Sequence, residues 1–63
     1  MQVFEVIAIK KDEKGRPSSI IFGPEALIAS DEQSAILSAT IKNTGKLADL
    51  NMSEVEVKVR PFK

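Results

Sequence analysis

The chain closes on "EVEVKVRPFK", residues 54–63, and the strict alternation of this stretch limits the fold more than any other feature. Successive side chains of a strand point to opposite faces. Val55, Val57 and Val59 therefore share one face, while Glu54, Glu56, Lys58 and Arg60 share the other. This is a strand with one dry side and one wet side. Pro61, which has no N–H to give to a ladder, is expected to end its pairing. The dry side needs a cover, and the rest of the chain must supply it.

"QVFEVIAIK" near the start is rich in Val, Ile and Phe and reads as a second kind of strand. Val3, Glu5, Ile7 and Ile9 lie on one side, with Phe4, Val6 and Ala8 on the other. Both sides are mostly apolar, the pattern of a central strand covered on two faces. "KDEKGRPSS", with Gly15 and Pro17, is a turn or short loop. "SIIF" resumes as a strand antiparallel to the first, and Gly23 and Pro24 interrupt it. "EALIAS" reads as extended, with a single helical turn starting at Pro24 as the alternative.

"SDEQ" at Ser30 to Gln33 has the spacing of a capping box, with Ser30 at the cap and Gln33 returning the bond. Asp31 and Glu32 place negative charge at the positive end of a helix dipole. The helix runs through "DEQSAILSATIKN", and Gly45 is the expected left-handed stop. Ile36, Leu37, Thr40 and Ile41 fall within an arc of roughly 140°, so Ile36, Leu37 and Ile41 are expected in the core. The alternative turns Ala35, Ile36 and Ala39 inward and leaves Leu37 and Ile41 outside as an i, i+4 pair. Leu47 and Leu50, in the connection that follows, are expected to tuck beneath the helix.

The order is thus strand, strand, helix, strand. A right-handed crossover from the second strand to the third puts the first strand between them. The expected fold is α+β: a three-stranded antiparallel sheet of order 2-1-3 with one helix on one face, a single domain over residues 1–63. Because Glu5 beneath a helix would lack solvent, Phe4, Val6 and Ala8 are expected to face the helix, with Val55, Val57 and Val59. That leaves Val3, Ile7 and Ile9 on the open face, and these are the candidate protein-interface residues, since an uncovered apolar stripe marks an interaction surface. The other possible cover is the 13–19 loop or the tail folding over the stripe.

Sixty-three residues without cysteine or histidine have no disulfide and no thiolate or imidazole metal site. A core of this size contributes only about 3–5 kcal/mol of net stability, so assembly with another chain gains weight. The same two absences remove serine–histidine triads, cysteine nucleophiles and imidazole bases. "TGK" at Thr44 to Lys46 lacks the first glycine of a phosphate loop. The neighbours Asp12 and Glu13 lack the ligand spacing of a calcium loop. Glu54 and Glu56 stand beside Lys58 and Arg60 in a mixed-charge row, which is a solvated face before it is a metal site. Nine basic and nine acidic residues cancel, so no global field favours nucleic acid, and three phenylalanines with no Tyr or Trp make a poor base-stacking platform. No apolar run approaches the ~18 residues of a membrane span, and the N-terminus lacks the basic region and cleavage site of a signal peptide. "NMS" at Asn51 formally matches a glycosylation sequon, to which no secretory signal gives weight. The expectation is a protein that is not an enzyme, with no cofactor, metal, nucleic acid, membrane or small-molecule substrate.

"LIASDEQSAILSA" and the closing "VEVKVRPF" resemble segments of small tailed-phage proteins with a strand–strand–helix–strand plan. The match covers Ala29 to Ala35 and Val55 to Phe62, under half of the chain. The shared pattern is an Ala-(Ser/Lys)-Asp-Glu helix start and a closing Val-x-Val-Arg-Pro-Phe. The resemblance implies a phage context, in the virion or the host cytoplasm, and no particular activity. The functional expectation is a non-catalytic assembly or interaction protein, a virion or accessory subunit that binds a protein partner or itself through the apolar sheet face or a strand edge. The alternative is a free cytosolic inhibitor of a host enzyme or defence complex.

Overall fold

A computed structural model of the chain describes residues 1–62. Strand β1 spans Gln2–Lys11 and β2 Pro17–Ala29. Helix α1 covers Glu32–Lys42, a single turn α2 Thr44–Leu47, and a 3₁₀ turn Met52–Glu54 leads into β3, Val55–Pro61. The sheet is antiparallel with order β2-β1-β3, and α1 packs on one of its faces. Both the strand order and the central place of the doubly apolar strand are as the sequence predicts.

The turn joining β1 to β2 is held by one carboxylate. Asp12 accepts from the N–H groups of Lys14 and Arg16 at 2.9 and 3.0 Å, its own N–H donates to the Arg16 carbonyl at 2.8 Å, and Gly15 supplies a positive φ of 79°. The connection is therefore tight, Lys10 and Lys11 belong to β1, and no 13–19 loop reaches over the sheet.

β2 is three residues longer than β1 (13 against 10) yet pairs along its whole length. Its register shifts opposite Val6–Ala8, Ala8–Ile9 and Lys10–Lys11 absorb the excess. Gly23 and Pro24 together face Ile7, so they do not interrupt the strand; they make a bulge in it. Gly23 has φ 89°, and a Cβ there would stand 2.5 Å from the Val6 carbonyl oxygen. Each bulge reverses which face the next residue takes. Phe22 lies opposite Ala8 on the helix side, Ile20 opposite Ile9 on the open side, and Leu27 opposite Phe4 on the helix side again.

Phe4, Val6 and Ala8 are buried, with Phe22 and Ala29 from β2. Val55, Val57 and Val59 pack half-buried against them. Leu47 closes the core and Leu50 lies against it. The inward residues of α1 are Ala35 and Ala39, both fully buried, while Leu37 and Ile41 are more than half exposed. The expected core of Ile36, Leu37 and Ile41 is thus corrected to the alternative. Ala35 and Ala39 share one buried cluster with Phe4 and Phe22, and their small side chains let the helix backbone come close to the sheet.

Both helix ends also differ from expectation. Asp31, not Ser30, is the N-cap, and its carboxylate accepts the Ser34 N–H at 2.8 Å. Ser30 meets the Ser34 hydroxyl at 3.3 Å, so no capping box with Gln33 forms. A carboxylate is the stronger acceptor at a helix N-terminus. At the other end α1 stops at Asn43, whose N–H donates to the carbonyls of Ala39 and Thr40. Gly45 lies inside α2 without a positive φ. Asn43 is the one buried polar residue among those described. Its Nδ2 donates to the Ala39 carbonyl at 2.8 Å and to Glu25 Oε1 at 3.2 Å, which ties the helix end to β2.

Candidate functional site

The sheet face away from α1 carries Val3, Ile7 and Ile9, the residues singled out from the sequence, and none of the described residues folds over it. Cross-strand pairing arranges this face in rows. Ile28 lies opposite Val3. Phe62, whose N–H donates to the Val3 carbonyl at 2.9 Å, extends that row across β3. Pairing therefore runs one bond past Pro61, because the proline nitrogen points away from β1. At the far end Ile20 lies opposite Ile9, and Glu56 flanks them. Ile20, Ile28 and Phe62 are all more than half exposed.

Between the two apolar ends sits a charged belt. Ala26, Glu5 and Arg60 form one row, in which Arg60 donates through Nε to Glu5 Oε1 at 2.7 Å and its second nitrogen lies 2.7 Å from the same oxygen. This pair explains how a carboxylate stands in an apolar stripe, as the open face lets it meet both solvent and an arginine. Lys58 stands beside Ile7 and 3.8 Å from Glu56. Glu5, Ile7, Pro24, Lys58, Val59 and Arg60 line a shallow depression of about 410 Å³ beside the Gly23–Pro24 bulge. Its side chains are aliphatic Ile7 and Pro24 beside two cations and a carboxylate.

The structure brings Val3, Ile7 and Ile9 together as expected, and adds Ile20, Ile28 and Phe62 to the same surface. Sequence reasoning missed the two isoleucines because alternation cannot be followed through bulges. Phe62 was within reach: continuing the 54–60 alternation by one step puts it on the charged side. Among the described residues no group of three or more acidic side chains gathers to hold a metal ion, and no helix is long and apolar enough to cross a membrane. No family model matches the chain, and no curated protein or solved structure matches it either.

Proposed function

We propose that this chain is a non-catalytic assembly protein whose open sheet face is covered by protein in its working state. The observation that carries the reading is the apolar surface formed by Val3, Ile7, Ile9, Ile20, Ile28 and Phe62 on a domain of 63 residues. Such an area left in water gives nothing to a chain with so small a core, and burial against a partner recovers about 25 cal/mol per Å² of it. The Glu5–Arg60 pair and Lys58 cross the middle of the face and set the orientation of whatever docks, as charges within an interface do. The resemblance of Ala29–Ala35 and Val55–Phe62 to small phage proteins supports a virion or accessory subunit as the setting.

The test is association of the purified protein against that of Ile7→Lys, followed by light scattering over a range of concentration. Concentration-dependent association that Ile7→Lys weakens without unfolding the chain supports the reading. A face that makes no difference to association, in a protein that also fails to enter any virion, contradicts it.

A further inference from the structure

We propose that β3 is a self-complementary edge, through which two copies of this chain pair antiparallel about a two-fold axis at Val57 and join their sheets into one. The sheet order leaves β3 with a neighbour on one side only. The opposite edge, β2, is broken by its register shifts and carries Pro17 and Pro24, devices that keep an edge from pairing. β3 has no such break: it pairs with β1 residue for residue from Val55 to Pro61.

The direction of the backbone groups follows from one hydrogen bond. The Phe62 N–H points to β1, where it meets the Val3 carbonyl. Backbone groups alternate in direction along a strand, so those of Glu56, Lys58 and Arg60 also face β1, and those of Val55, Val57 and Val59 face outward. Pro61 fits this pattern, since its missing N–H lies on the outer side. The Val55 N–H is taken by the Met52 carbonyl in the 3₁₀ turn. The N–H groups of Val57 and Val59, and the carbonyls of Val55, Val57 and Val59, are left for a neighbour.

Charge then selects the register. Residues 54–60 read Glu-Val-Glu-Val-Lys-Val-Arg. With the axis at Val57, Glu56 stands opposite Lys58, a pair formed twice, and Val55 stands opposite Val59 on the helix side. Moving the axis to Glu56 or to Lys58 sets a charge against its own copy, and an in-register parallel pairing does so at every charged position. In the Val57 register, Val57 N–H donates to the carbonyl of the partner's Val57, and Val59 N–H to that of the partner's Val55. The charged pairs fall at the positions without hydrogen bonds, where facing side chains approach most closely. The joined sheet puts both open faces on the same side and the two depressions next to each other, so the occupant of this edge is a second copy, and the claim stands apart from what covers the open face.

The test uses Glu56→Lys and Lys58→Glu, singly, mixed and combined, by sedimentation at low ionic strength, where screening is least. Each single variant sets like charges against each other and is expected to weaken dimerisation roughly tenfold or more. Mixing the two singles restores opposite charges at both positions and is expected to give the heterodimer. The combined variant is expected to dimerise like the parent, and it keeps the test decisive should a single variant fail to fold. A parent that stays monomeric at millimolar concentration, singles that dimerise as the parent does, or a mixture and a combined variant that both stay dissociated would each overturn the proposal.

Discussion

Gly23 shows how much of this fold rests on single backbone positions. Its φ of 89° and the Val6 carbonyl oxygen 2.5 Å from where a Cβ would stand mean that no other residue fits without moving β1. Gly23→Ala is expected to cost of order 1–3 kcal/mol, a large share of the stability available to a core this small, and thermal melts read the loss. Asp31 gives the pH dependence. The Ser34 N–H and hydroxyl hold its carboxyl below the ordinary value of 3.8, so its stabilising effect is present above 3.8 and is lost as pH falls through the lower, folded value. Asp31→Ala is expected to melt earlier than the parent at pH 7, and the gap to narrow as the pH drops below 3.8. A gap that stays constant with pH would assign the loss to something other than the charged cap. The sequence marked the helix start to within one residue, but Ser30 and Asp31 are adjacent and both are good caps, so only geometry separates them.

At the scale of elements, the strands were more readable than the helix. The alternation in β3 and the double apolar face of β1 assign their sides correctly, because neither strand is bulged against the other. β2 is where alternation fails: Phe22 and Ile20 share parity, yet face opposite sides across the bulge at Ile21. The helix misleads for a different reason. Hydrophobic arcs weight large side chains, whereas α1 is seated by Ala35 and Ala39 over Phe4 and Phe22. Ala39→Leu is therefore expected to destabilise by about 1–3 kcal/mol through overpacking. Leu37→Ser, on the exposed side, is expected to change stability by less than about 0.5 kcal/mol. Denaturant titrations of the two variants give the comparison, and the reverse order would restore Leu37 to the core. Leu37 and Ile41 then remain as a second, smaller apolar patch facing away from the sheet.

The whole molecule is a thin two-layer slab, 37 × 22 × 15 Å, with a helix on one face of its sheet and nothing among the described residues on the other. Its fold class and strand order could be read from four segments because a right-handed crossover leaves few alternatives. The open face could be read only in part, since half of its apolar side chains come from the bulged strand and from the residue after Pro61. If this face is an association surface and the Phe4 face is core, sedimentation of Ile7→Lys beside Phe4→Lys, each checked by circular dichroism, separates the two. Ile7→Lys is expected to stay folded, its ammonium reaching water from the open face, and to associate less than the parent. Phe4→Lys is expected to unfold, because it puts a charge where the core excludes water. An Ile7→Lys that unfolds beside a folded and dissociated Phe4→Lys would reverse the two faces, and an Ile7→Lys that associates as fully as the parent would rule out the open face as an association surface.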